Sequence, residues 1–480
     1  MRTCLLAFGA VLCGSFALAA SREDRSEVKV AKSSIVLPTY APGGYDKTPL
    51  FYTGRVYQGA QGRVYPYPMQ DVLFDGKVDE TYTYLTLENK WLQMGLLPEH
   101  GGHLLNFTDR ETGFEAFYRQ HVVKPALIGM LGAWISGGVE WNFPHHHRAT
   151  TAMPIDWRLA ANADGSKTVW IGETELRRRL KWTIGLSMMP DRAVLRADNV
   201  FMNRGPFIES MIYWANVSVH CGDDYQVIFP PSCHLGFDHH KAFWTSFPMG
   251  PKKVDHQWIP SQRAKTADDV EGLIDLSWWR NFTVESRSIF AMDPDNAWLA
   301  GMDHKRNMGT AHVSNRHLTV GKKFFLWGNF PEAHVWDTVL TDSDGPYLEL
   351  MVGCWSDNQP DYSWIDPYET RTVKQFWFPV KGIGGVKNVT IDGAVNVERR
   401  GKAELLVGFH STRALKGCTV RVLRGGPRSV AAADGREPVP PVVVFEEKNV
   451  ALDPNTPWCK PVKVAADAKD QEFTASLADA

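Results

Sequence analysis

YTYLTLENKWLQMGLLP, Tyr82 to Pro98, alternates apolar and polar residues in short runs around an Asn turn, which is the signature of antiparallel strands with one face buried. SKTVWIGETEL (Ser166–Leu176) and RAVLRADNVFMN (Arg192–Asn203) repeat the pattern, and Gly, Pro, Asn and Asp turns separate such runs from near Ile35 to Pro379. A β-rich unit of roughly 340 residues exceeds the roughly 100 of a seven-strand sandwich. The expected fold is therefore all-β, a large antiparallel supersandwich over 34–385. Past Lys381-Gly-Ile-Gly-Gly385 the aromatics thin out, and 386–465 reads as a small second β-sandwich. Val122–Ile135, broken by Pro125, Gly129 and Gly132, is expected to be a buried connection rather than a helix.

Residues 1–19 carry Arg2, an apolar run from Leu5 to Leu18 and an Ala17-Leu18-Ala19 ending, the layout of a cleavable secretory signal. The mature chain is expected to start at Ala20 and to be periplasmic or secreted, with a flexible lead-in over 20–33 and a disordered tail over 466–480. No later apolar run is long enough to span a bilayer. Cys221, Cys233, Cys354, Cys418 and Cys459 remain after the leader; they lack zinc-site spacing and allow at most two disulfides, Cys221–Cys233 among the candidates. A net charge of −2 argues against nucleic acid as a partner. The 18 tryptophans suit a protein that presents flat apolar faces to a ring-shaped ligand.

Chemistry concentrates in GGVEWNFPHHH, Gly137–His147, where Glu140 sits between aromatics ahead of three histidines. A packed core cannot hold so many polar groups without partners, so the stretch reads as one wall of a polar, aromatic pocket. Side chains alternate on a strand, so at most two of His145, His146 and His147 share a direction. No metal or other cofactor is called for, because side-chain hydrogen bonds and stacked rings suffice to bind a sugar. Four further clusters stand out: His100 and His103 around a glycine pair in LPEHGGHLLN; His220 at a strand end before Asp223, Asp224 and Tyr225; HLGFDHH from His234; and Glu349 in an apolar strand before Asp357 and Asp361. A tight turn, a solvated turn and a water-facing strand residue are the plain readings of the glycine pair, the Asp pair and Glu349. If Glu349 faces inward, it needs a partner or a shifted pKa. Glu140, His146, His220 and Glu349 are expected to converge on one cleft, with Trp134, Trp141 and Tyr225 as its stacking floor and Asp223 or Asp357 at its rim.

PLFYTGRVYQGAQGRVYPYP (Pro49–Pro68), LPEHGG, FYRQHVVKPALIGMLGAWISGGVEWNFPHHHR (Phe117–Arg148), GSKTVWIGE, WANVSVHCGDDYQVIFPP (Trp214–Pro231) and SDNQPDYSWIDPYET (Ser356–Thr370) resemble the bacterial family of unknown function DUF5107, from about Leu37 to Gly385. The resemblance implies a galactose-mutarotase-like supersandwich with a sugar cleft on one sheet. Relatives often continue into tetratricopeptide repeats, for which this sequence leaves no room. The more distant likeness to aldose 1-epimerases rests on His220 with Tyr225, and on Glu349 standing twenty residues before Glu369. The expected function is a secreted carbohydrate-active protein binding mono- or oligosaccharides. A glycoside hydrolase using Glu140 and Glu349 as acid and base or nucleophile leads. An epimerase using His220 and Glu349, and a non-catalytic glycan binder, are the alternatives.

Overall fold

Alternation in the sequence becomes two-faced sheets. Leu195–Asn203 buries every second residue and pairs antiparallel with Leu180–Met188 on one side and Thr370–Lys381 on the other. The computed structural model describes residues 27–52, 54, 64–145, 147–238, 244–251, 272–292, 297–354, 362–425, 441–465 and 473–478. Within them these strands form the middle of an eight-stranded sheet, flanked by Lys167–Thr174 and Asp156–Ala161 on one edge and Met308–Ser314, Trp298–Asp303 and Tyr225–Ile228 on the other. A seven-stranded sheet runs Trp244–Ser246, Leu235–Asp238, Arg287–Ala291, Gly321–Leu326, Tyr347–Gly353, Trp214–His220 and Val139–Asn142. A four-stranded sheet, Lys29–Pro42 to His103–Asp109, adds a third wall.

One core joins all three. Leu87, Met94 and Phe107 of the four-stranded sheet, Trp182, Phe201 and Trp377 of the eight-stranded sheet, and Val217, Phe324 and Leu350 of the seven-stranded sheet bury their side chains together. The chain is thus an antiparallel β-supersandwich, as the alternation implies. Among the described residues the one α-helix is Pro331–Val339.

The strands from Asn388 to Lys463 make a smaller sheet pair with its own apolar centre, in which Val407, Val420, Val450 and Trp458 are buried. Val386, Val389 and Ala394 pack against Val194, Trp298 and Phe378 of the eight-stranded sheet. At the same junction Lys381 Nζ lies 2.6 Å from Asp109 Oδ2 and 3.1 Å from Asn455 Oδ1.

Several boundaries differ from the sequence reading. The expected lead-in is ordered from Lys29, because that strand pairs residue by residue with Leu73–Glu88 and Val28 is buried against the main core. Phe473–Ala478, expected to be tail, is a strand paired with Leu415–Arg424, with Phe473 and Ala475 in the small core; two apolar anchors outweigh the Ala-rich composition. Val122–Ile135 contains a hairpin, Ala126–Gly129 paired with Gly132–Trp134. Among the described residues the five cysteines form no disulfide, Cys221 and Cys233 included.

Trp141 and Tyr225 both belong to the main core, Trp141 edge-on to Trp377 at 6.2 Å. Neither is on a ligand-facing surface, which corrects their assignment to a stacking floor. Trp141→Ala should cost about 3–5 kcal/mol of folding free energy, the range for emptying a buried aromatic site. Urea denaturation checks it, and a cost below about 1 kcal/mol would contradict the core placement.

Candidate functional site

The seven-stranded sheet turns one face into the main core and the other, of mixed polar and aromatic character, away from it, because neighbouring residues on a strand point to opposite sides. On Trp214–His220, Ala215, Val217 and Val219 enter the core, which sends Trp214, Asn216, Ser218 and His220 to the other face. Register extends that face across the sheet. Asn216 lies opposite Glu140 on one side and Met351 on the other, and Ser218 lies opposite Glu349; Met351 is opposite Lys323, and Glu349 opposite Phe325. Glu140 and Glu349 therefore share a face, with the Trp214–His220 strand between them and their backbones roughly 12 Å apart, two strand spacings across and two residues along.

Both carboxylates are 6% exposed, so each needs compensation. Glu140 has it. Its Oε2 lies 2.8 Å from His147 Nδ1 and its Oε1 accepts from Thr151 Oγ1 at 3.2 Å. Burial pushes this carboxyl up, but the charge and hydrogen bond of His147, helped by the Asn142 amide and the Trp134 indole, outweigh it and hold Glu140 below the ordinary glutamate value. Glu349 is pushed up to about 7 by burial, with the Glu140 charge adding to the rise and His147 and Lys323 opposing it. Below about pH 7 the two carboxyls on one face thus hold opposite protonation states, Glu349 protonated and Glu140 ionised, the arrangement that separates an acid from a base.

The backbone holds this pair in place. Gly138 adopts φ +50°, and a Cβ there would meet Leu104 O at 1.7 Å and His103 Nε2 at 3.2 Å. Only glycine lets the Glu140 strand approach the His103 strand so closely. The loop after Asn142 is pinned by Arg148, whose backbone N–H donates to Asn142 Oδ1 at 3.0 Å and whose Nη2 donates to Gly101 O at 2.6 Å. Its guanidinium stacks on Trp182 at 4.4 Å. That anchoring sets His147 beside Glu140, with the Trp134 ring edge-on to the imidazole at 5.4 Å.

His103 belongs to the same neighbourhood. Burial lowers it to about 4, the His100 charge adds to the drop, and the Glu140 charge opposes it. His100 stands behind it against Tyr82 at 4.8 Å, with both ring nitrogens unpartnered. The other expected residues separate from the pair. His220 shares the face, but its Nε2 accepts the Arg119 N–H at 3.3 Å, Tyr118 covers its ring at 4.2 Å, and the charges acting on it come from Arg306, Asp344 and His121. In the register it stands opposite Tyr347 and one pleat from Ser218, the residue opposite Glu349. His145 turns to Arg177 Nη2 at 3.1 Å and Tyr362 at 4.8 Å, away from Glu140. Asp223 is in an exposed turn, and its carbonyl accepts from Arg280. His146, Asp357 and Asp361 lie outside the described residues.

The sequence reading missed Asn216, Ser288, Trp214 and Lys323, all on this face. WANVSVH contained the signal, since its polar members alternate with Ala and Val. Among the described residues no group of three or more His, Cys, Asp or Glu is placed to hold a metal ion. No helix of these residues is long and apolar enough to cross a membrane. An open groove of about 540 Å³ lies elsewhere, between Tyr40, Phe74, Lys124 and Trp336. Its Lys124 is already bound to Asp342 and two carbonyls, and it has no carboxylate pair comparable to Glu140 and Glu349.

A family model described as "Domain of unknown function (DUF5107)" matches residues 60–380. The chain belongs to the DUF5107 family. Among solved structures it is similar to a TPR-domain containing protein from Parabacteroides distasonis, with a TM-score of 0.60 and 21% identity over 74% of this chain and 55% of that one. The DUF5107 chain thus spans about half the length of that relative, and the likeness is one of fold. It is also similar to a putative mutarotase from Salmonella typhimurium (TM-score 0.43, 9% identity, 63% of this chain and 91% of that one) and a putative aldose 1-epimerase from Klebsiella pneumoniae (0.40, 10%, 62% and 80%).

The buried imidazoles give this DUF5107 protein a testable pH response. Burial lowers His100, His103 and His220 to about 4 and His145 to about 3, from 6.5. The unfolded chain takes up protons first, so stability is full above pH 6.5 and is lost as pH falls toward 4. Glu349 acts oppositely, its raised pKa costing stability as pH rises from 4.5 to 7. His312 and His410, lowered by burial to about 3 and about 4, act with the other imidazoles, and Glu115, raised by burial, acts with Glu349; six imidazoles against two carboxyls should win. The urea midpoint should drop between pH 7 and pH 5, and an unchanged or higher midpoint at pH 5 would contradict the buried neutral imidazoles.

Proposed function

We propose that this protein is a carbohydrate-active enzyme working at an anomeric centre, most directly a glycoside hydrolase. The observation that carries the reading is the placement of Glu140 and Glu349 on one face of the seven-stranded sheet. Opposite pKa displacements support it. Glu349, protonated below about 7, donates a proton to the leaving oxygen. Glu140, kept ionised by His147, withdraws a proton from water or stabilises positive charge at the anomeric carbon. Buried rings and buried polar groups on the same face suit a sugar, which offers apolar ring faces and hydroxyls together. The apolar leader through Ala19 adds export to this reading, and places the substrate outside the cytoplasm.

An epimerase reading uses the same two carboxyls without attack by water, one at the anomeric hydroxyl and one at the ring oxygen. His220, on the same face and diagonal to Glu349, is the histidine of this reading, with its Nε2 accepting the Arg119 N–H. Incubating the purified protein with an oligosaccharide panel separates the cases. Released reducing ends support the hydrolase, faster mutarotation of a free sugar supports the epimerase, and retention without turnover supports a binder. On the hydrolase reading, Glu349→Gln and Glu140→Gln should each lower kcat by about 100-fold or more. The wild-type rate should fall as pH rises through about 7 and Glu349 loses its proton. Full activity in Glu349→Gln would end the proposal.

A further inference from the structure

Asn216 is placed between the two carboxylates and is 2% exposed. Among the described residues, neither its Nδ2 nor its Oδ1 has a hydrogen-bond partner. A buried amide with both ends unpaired is costly, and a fold seldom keeps one without a reason. Its neighbours repeat the pattern. Trp214, two residues earlier on the same strand and face, is fully buried with an unpartnered Nε1. Ser288, 2% exposed, has an unpartnered hydroxyl; it lies opposite Phe325, which lies opposite Glu349. Three buried polar groups on three side chains, all on one face and beside the candidate acid and base, form a strip of unused donors and acceptors.

We infer that Asn216 is a specificity-determining residue that reads a pair of adjacent hydroxyls on a sugar ring, its amide N–H donating to one oxygen and its carbonyl accepting from the next. The strip assigns the ligand class, a polyhydroxylated ring. A carboxylate or phosphate ligand would accept from Nδ2 and leave Oδ1 unmet, whereas a vicinal diol satisfies both ends at once. Register fixes the location, since Asn216 is directly opposite Glu140 and one pleat from Ser218, the residue opposite Glu349. A ring held by this amide therefore lies between the two carboxyls. The Trp214 N–H and the Ser288 hydroxyl extend the strip beyond that ring. Asn216 acts on binding and orientation, and takes no part in proton transfer.

This inference rests on the carbohydrate reading but fails separately from it. Asn216→Leu keeps the branch at Cγ, is somewhat larger and removes both polar ends; Asn216→Ser is smaller and keeps one hydroxyl. Thermal unfolding of wild type and both variants is measured without ligand, and with D-glucose, D-galactose, D-mannose, their methyl glycosides and the corresponding deoxy sugars. Without ligand, neither variant loses a hydrogen bond, so each should melt within the few degrees that its change of side-chain volume costs. A sugar that raises the wild-type Tm should bind Asn216→Leu about tenfold or more weakly, and Asn216→Ser in between. The deoxy sugar lacking a hydroxyl that Asn216 reads should bind wild type and Asn216→Leu alike. A drop in the unliganded Tm of both variants well beyond such a packing cost would show that the amide has a partner inside the fold and overturn the assignment. Equal sugar binding by wild type and variants would overturn it too, as would a wild type that responds to none of these sugars. Loss of binding in Asn216→Leu with no turnover by wild type would uphold Asn216 and reject the enzyme.

Discussion

Two-residue alternation along Trp214–His220 decides where every group of this site goes. Ala215, Val217 and Val219 complete a core shared by three sheets, so Trp214, Asn216, Ser218 and His220 have no choice but the opposite face. A slip of one residue would reverse the assignment, burying an amide and an imidazole in the core and exposing valines. The neighbouring strands are held to the same register by hydrogen-bonded pairing and by their own apolar faces, Leu348, Leu350 and Val352 on one side and Val139 on the other. The site is consequently a by-product of core packing in the strict sense that whatever stabilises the core also fixes which carboxyls meet.

Burying two carboxyls on such a face is expensive, and the fold compensates them unequally. Glu140 receives an imidazole, a threonine hydroxyl and nearby amide and indole dipoles. Glu349 receives only the more distant charges of His147 and Lys323. The asymmetry comes from chain connectivity. Glu140 is followed within a few residues by the loop that returns His147 and Thr151 to it, anchored through Arg148 to Gly101 and Glu173, whereas Glu349 is in the interior of a strand whose neighbours are apolar.

The sequence shows much of this and conceals the rest for physical reasons. Glu140 and Glu349 are visible because each interrupts an apolar strand, where an ionisable group requires a partner. Trp141 is misplaced because the density of aromatics in GGVEWNFPHHH invites grouping them, while alternation in VEWN sends Glu140 and Trp141 to opposite faces. Tyr225 is close to His220 in sequence, but the turn at Asp223-Asp224 carries the chain from the seven-stranded to the eight-stranded sheet, and sheet membership is set by long-range pairing that local pattern does not contain. The strand at Phe473–Ala478 is hidden by composition, since its stability comes from the Leu415–Arg424 strand beside it.

The central claim is that Glu140 and Glu349 occupy one face in opposite protonation states. Infrared difference titration of wild type against Glu349→Gln and against Glu140→Gln, following the carboxyl and carboxylate bands, tests it most directly. The account predicts that the band lost in Glu349→Gln titrates near 7, and that the band lost in Glu140→Gln remains carboxylate to below the ordinary glutamate pKa of 4.5. Both groups titrating together near 4.5 would contradict it.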